Sequence, residues 1–198
     1  MNKADLENKL QLVANGLTRA HTHFHFAEKL HANRKQLGLA NEFWNYTVTA
    51  HSSIAFLYLC RAYDFRTDGM NIFNCLKSMN EKALDQGNRN LLSGYVALCG
   101  RNSQDRLVAS LRTWRNNIVA HYNIDAALDP LKFDQDNPVE PDEILCNLID
   151  RGFIILEWCS SLQGSGTIYQ RFAPGTDSCE KVLAALCICE SNLAYEPV

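Results

Sequence analysis

Residues 5–33 read DLENKLQLVANGLTRAHTHFHFAEKLHAN. Leu6, Leu10, Val13, Leu17, Ala20, Phe24 and Ala27 recur in this stretch at steps of four and three. That is the spacing that stacks side chains on one face of an α-helix. A long helix with one apolar stripe is stable only when other helices cover the stripe, so the rest of the chain is read for partners.

Gly38 breaks the chain, and Asn41 suits the N-cap of a second helix running to about residue 65. Residues 54–60, IAFLYLC, are apolar on most sides, which marks this helix as central. Asp68 and Gly69 end it, and a short third helix follows with Ile72, Phe73, Leu76 and Met79 inward. Residues 86–103 are rich in Gly and Asn and read as loop around a helical turn or two. A further helix spans about 104–122. Residues 125–142 hold three prolines and six acidic residues against one lysine, the composition of a long exposed loop. Pro141 suits the first turn of the next helix, where the helix dipole favours Asp142 and Glu143. That helix carries Leu145, Leu148, Phe153, Leu156 and Cys159 inward, and Gly164 and Gly166 stop it. Asp177 and Glu180 frame a last helix through Cys189. No strand-like alternation or repeat interrupts this order. The class is all-α, an up-down bundle of five to six helices. Residues 1–165 form the bundle, with 166–198 a C-terminal loop and helix packed on the same domain.

The composition sets limits on function. A chain of 198 residues with 46% hydrophobic and 21% charged residues is an ordinary globular domain. The net charge of −3 gives no global field toward nucleic acid, so any basic surface has to be local. The opening MNKADLENKL lacks the apolar core of a signal peptide, and no apolar run approaches the roughly 20 residues a bilayer needs. The expectation is therefore a cytoplasmic protein without a membrane partner. The eight cysteines include no Cys-x-x-Cys pair and fall mostly at apolar helix positions, which indicates buried reduced thiols.

The chemistry concentrates in residues 107–122, LVASLRTWRNNIVAHY. Leu107, Leu111, Trp114, Ile118 and His121 continue one apolar stripe, so the imidazole ends a core-facing row. Arg112, Arg115, Val119 and Tyr122 form the stripe beside it, and Arg101 and Arg106 add positive charge nearby. By itself His121 reads as a half-buried histidine bonded to a carbonyl, and the arginines as a solvated rim. The combination of arginine, amide and histidine on a core-facing helix favours a site.

These residues resemble the motif of the HEPN superfamily, an arginine and a histidine separated by four to six residues, often with a polar residue after the arginine. Here it stands as Arg115-Asn116-x4-His121. Phe43-Trp44, Leu59-Cys60-Arg61-Ala62-Tyr63-Asp64 and Ala120-His121-Tyr122 are similar, more narrowly, to the abortive-infection AbiU-type branch, over about residues 5–165. The resemblance implies a bundle that dimerises around the motif helix and, in active members, cleaves RNA without a metal or other cofactor. It implies Arg115, Asn116 and His121 as catalytic residues, with Arg112, Arg106, Arg101 and Tyr122 along the RNA and an antitoxin protein as a further partner. The tyrosine that some members carry two places after the histidine is Asn123 here, so regulation through it is not carried over. Helix geometry agrees with a homodimer. Six residues separate Arg115 and His121 by about 120° around an ideal helix, so two chains crossing at a two-fold axis would be needed to aim both groups at one phosphate.

Other constellations are weaker. His21, His23 and His25 alternate within a helix and read as a surface face. Arg61 and Asp64, three apart on an apolar helix, read as a mutual ion pair or as residues shaping the cleft. Asp134-x-Asp136 is not a calcium loop, because Val139 stands where glycine is required and Leu145 where glutamate is. Gly164-x-Gly166 follows no strand and is no nucleotide fingerprint. Three functional readings stay open at this point: an endoribonuclease effector, a non-catalytic module binding RNA, a nucleotide or a protein, and a structural dimer.

Overall fold

A computed structural model of the chain describes residues 3–33, 42–66, 68–116, 139–169, 171 and 181. Among these residues there are six α-helices, one short 3-10 turn and no strand, as the apolar periodicity requires. They are α1 (Lys3–Ala32), α2 (Glu42–Ala62), α3 (Ile72–Lys77), α4 (Gln86–Cys99), α5 (Arg106–Trp114) and α6 (Pro141–Leu162).

The stripe on α1 is buried along its whole length, from Leu6 to Leu30. It is covered mainly by α2 and, on the other side, by α6. The widest inward face belongs to α6, with Ile144 and Leu145, Leu148 and Ile149, Gly152 and Phe153, and Ile155 and Leu156 in successive pairs. Those pairs touch α1, α2, α3 and α5, so α6 is the central helix. The sequence assigned that place to α2, but α2 buries one face only. It packs Ala55, Phe56, Leu59 and Cys60 inward while Leu57, Phe43 and Tyr46 stay exposed. An all-apolar run is therefore not an all-buried one here. Gly152 permits the close approach of α1 to α6: a Cβ there would stand 2.7 Å from Leu17 Cδ1 and 3.6 Å from Ile72 Cδ1.

The expected loop at 86–103 is mostly the 14-residue helix α4. Asp85 accepts from the Asn88 N–H at 2.7 Å and starts it. Leu92, Tyr95, Val96 and Cys99 then supply a packed face that outweighs two interior glycines. Trp158 Nε1 donates to Asn88 Oδ1 at 3.1 Å and ties α4 to α6. Pro141 opens α6 as expected, and α6 closes in a Schellman turn with Gly164 at φ 72°. There the Gly164 N–H donates to the Ser161 carbonyl at 2.9 Å and the Ser165 N–H to the Ser160 carbonyl at 3.3 Å. Thr167 Oγ1 donates to Glu7 at 3.0 Å, Arg171 pairs with Asp150 at 3.0 Å, and Tyr169 is buried. Thr167, Tyr169 and Arg171, beyond α6, thus pack on α1 and α6. All of the expected helix at 177–189 but Lys181, and most of the acidic loop at 125–142, lie outside the described residues. No helix among the described residues is long and apolar enough to cross a membrane.

Cys60, Cys75, Cys99 and Cys159 are free and buried, while Cys146 is free and exposed. The histidine trio is not a surface face. His21 Nδ1 is 2.8 Å from the Arg171 carbonyl, and His23 Nδ1 is 2.8 Å from His51 Nδ1 across the α1–α2 seam. All three histidines are half-buried because α2 and the chain after α6 lie over that side of α1.

Candidate active site

The motif helix α5 is fixed from its first residues. Asp105 caps it, accepting from the Val108 N–H at 3.0 Å, and its other carboxylate oxygen accepts from Arg151 of α6 at 2.7 Å. Leu107, Val108 and Leu111 turn into the core, and the half-buried Trp114 lies 6.3 Å from Phe56 of α2 between ring centres. The inward stripe read from the sequence holds as far as Trp114. Ile118, His121 and Tyr122 lie outside the described residues.

Arg112 has a definite structural task. Its Nη2 donates to the carbonyls of Cys99 at 3.1 Å and Gly100 at 2.9 Å, and its Nη1 to that of Arg101 at 3.1 Å. These are the orphan carbonyls at the end of α4, so the guanidinium closes that helix while stacking on Phe65 at 5.0 Å. Burial pulls its pKa below the ordinary arginine value. Arg101 is exposed and meets Arg112 through its carbonyl. Arg106, also exposed, pairs with Glu143 of α6 at 2.7 Å.

Arg115 stands one turn beyond Arg112 and is half-buried. It lines a narrow recess with Leu111 and Arg112 of its own helix and with Cys60, Tyr63, Asp64 and Phe65 at the end of α2. Asn116, next in sequence, is exposed. At Arg115 and Asn116 the winding widens to the π type, a local irregularity common where helices carry function.

The opposite wall of the recess is equally fixed. Tyr63 is fully buried and its hydroxyl donates to the Leu148 carbonyl of α6 at 2.8 Å. Burial carries its pKa well above the ordinary phenol value. Asp64 does not pair with Arg61, because α2 ends at Ala62 and Asp64 lies beyond it in the turn. There it accepts from the Arg66 backbone N–H at 3.1 Å and from the Arg66 guanidinium at 2.7 Å. The Arg66 carbonyl accepts in turn from the side-chain amides of Asn71 and Asn74, each at 2.9 Å, which stitches the turn to the start of α3.

Burial of Asp64 works against its charge, but the bonds and charge of Arg66, with a smaller contribution from Arg115, hold its pKa below the ordinary carboxylate value. An ionised carboxylate therefore faces Arg115. Cys60 is pushed up to about 12 by burial, with the Arg115 charge pulling only weakly the other way, so it is a neutral thiol rather than a nucleophile.

The structure thus brings Arg115, Arg112 and Asp64 into one recess, while Asn116 is exposed and not part of its lining. It sets Arg101 and Arg106 apart on exposed surface, and it places Arg61 on another side of α2, in a groove facing α1. Sequence reading missed the Asp64–Arg66 turn and the Asp105–Arg151 pair. Asp105 directly before an apolar helical row was the available signal for the cap.

The described helices form an all-helical bundle in which the arginine-bearing helix α5 meets the end of α2. The family model for AbiU2 (HEPN_AbiU2) matches residues 3–170, and the chain belongs to that family. No curated protein and no solved structure matches it.

Proposed function

We propose that the protein is a metal-independent endoribonuclease, an abortive-infection or toxin-type effector that cleaves RNA as a homodimer in the cytoplasm. The observation that carries the reading is the position of Arg115. In a chain of the HEPN AbiU2 family, the motif arginine sits in a recess opposite an ionised carboxylate rather than on open surface.

The ribose 2′-oxygen attacks the adjacent phosphorus in line, forming the P–O2′ bond while the P–O5′ bond breaks. His121 takes the 2′-hydroxyl proton or delivers one to the departing 5′-oxygen, since an unperturbed pKa of ~6.5 suits transfer near neutrality. Arg115 meets the charge growing on the non-bridging oxygens with paired donors. Asn116 orients the histidine or the phosphate. Two copies meeting at a two-fold axis supply two arginines and two histidines to one cleft. Arg101, Arg106 and Tyr122 hold the strand. Arg112 adds positive charge while fixing α5, and Asp64 keeps the Arg115 side chain in register. An antitoxin protein is the partner that would restrain such an activity.

The test is cleavage of a mixed RNA pool in EDTA by wild type and by His121→Ala. Cleavage by wild type alone, leaving 2′,3′-cyclic phosphate ends, is the expected result. RNA retained by a folded dimer without cleavage would replace this reading with a binding module. Loss of the dimer in Arg115→Ala with no effect on RNA would replace it with a structural dimer.

A further inference from the structure

A groove of about 260 Å³ lies between α1 and α2, and nothing in the proposed reaction uses it. Its polar lining is Asn15, Arg19, Tyr58 and Arg61, and Leu12 and Met70 on its rim are 54% and 44% exposed. Both formal charges in this lining are positive, in a chain of net charge −3. Among the described residues neither guanidinium is paired with a carboxylate. Arg19 is held in place, donating to the Tyr58 hydroxyl at 3.0 Å with its guanidinium carbon 5.6 Å from the ring centre.

The floor gives an independent sign. Gly16 lies in the middle of α1, where glycine costs about 1 kcal/mol relative to alanine. A Cβ added there would meet nothing within 4 Å, so packing does not require the glycine. Close approach of a ligand to the backbone would. Two guanidiniums fit a phosphate, apolar Leu12 and Met70 fit the flat or sugar part of a nucleotide, and the volume is room for about one.

We propose that this groove is a nucleotide subsite in which Arg61 and Arg19 hold one phosphate. Arg61 is on the last turn of α2, beside Cys60, which lines the recess at Arg115. With a helix about 10–12 Å across, a single strand passing over the end of α2 reaches both places. The assignment of the ligand to an RNA strand rests on the reading above, whereas the nucleotide chemistry of the groove does not.

The experiment uses the full chain and a short fluorescent RNA with 2′-O-methyl riboses, which binds but lacks the nucleophile. Arg61→Ala should weaken binding about tenfold at low salt and reduce the salt slope by ~0.7, the contribution of one single-strand phosphate contact. Arg61→Lys should restore the slope. Gly16→Leu, which favours the helix and fills the groove, should weaken binding without changing the slope. On cleavable RNA, Arg61→Ala should raise KM and leave kcat alone. Adenosine 5′-monophosphate is titrated in parallel: uptake that depends on Arg61 assigns the groove to a free nucleotide, and no uptake together with Arg61-dependent binding of the RNA assigns it to the strand. Wild-type behaviour of both Arg61→Ala and Gly16→Leu toward both probes overturns the subsite. Wild-type binding of the methylated strand without cleavage of natural RNA overturns the nuclease reading and leaves the subsite standing.

Discussion

The first two turns of α5 and the turn that follows make different use of the same residue type. Between Asp105 and Arg112 the polar groups serve the scaffold: Asp105 binds the helix end and Arg151, and Arg112 binds three carbonyls at and just beyond the end of α4. One turn on, Arg115 shares a recess with Asp64, whose own hydrogen bonds go to Arg66. Three residues apart on one face, one arginine builds the scaffold and the other is presented by it. Spacing alone does not distinguish them. What distinguishes them is what the neighbouring helix end presents: the carbonyls of Cys99, Gly100 and Arg101 accept from Arg112, whereas the end of α2 sets the Asp64 carboxylate in the recess of Arg115.

The comparison breaks most visibly in activity. Arg115→Ala should lower RNA cleavage by about 10²–10³-fold, the loss typical of one donor to a developing oxyanion, with the thermal midpoint within ~2 °C of wild type. A large fall in melting temperature instead would make Arg115 a second scaffold residue. Arg112→Ala should show the opposite pattern. Bonds from a charged donor to carbonyls contribute about 1.5–3 kcal/mol when buried, and half exposure reduces the sum to about 2 kcal/mol. In a domain of this size that lowers the melting temperature by ~4–8 °C. Urea unfolding of the two variants side by side measures the contrast directly.

Asp105→Asn sharpens it further. It keeps a capping oxygen but removes the charge facing Arg151, and should cost ~1 kcal/mol or less in the same unfolding measurement. The smallest effect belongs to a region remote from α5. Burial, then the charge of His51 and then that of Arg19, lowers the pKa of His23, and burial lowers that of His51. The unfolded chain therefore takes up protons first as pH falls. Stability conferred by the neutral pair is complete above the ordinary histidine value of ~6.5 and is lost as pH falls through the depressed folded values. The double variant His23→Gln/His51→Gln should flatten the stability–pH curve below pH ~6.5 in chemical denaturation.

Much of this architecture was legible in spacing. The α1 stripe, the inward face of α6 and the roles of Pro141 and Gly164 all follow from local rules that the packing does not override. α4 was not legible, because its glycines and asparagines are turn-forming types and its helix depends on a cap at Asp85 and on packing against Trp158 and α3. The centrality of α2 was misread because an apolar sequence does not reveal which of its faces finds a neighbour. At the candidate site, Arg115 was singled out by its spacing to His121, which lies outside the described residues. The partner of Asp64 could not, because a helix stopping two residues early hands the carboxylate from Arg61 to Arg66.

Gly152 has a consequence for genetics. Alanine there would press on Leu17 of α1, and overpacking of this kind costs about 1–3 kcal/mol. Because Gly152 does not line the recess of Arg115, a Gly152→Ala allele should be conditional, folded and competent in cool culture and depleted in warm. Under the effector role proposed above, such an allele would let a strain carry the gene silently and restore its action by a change of temperature.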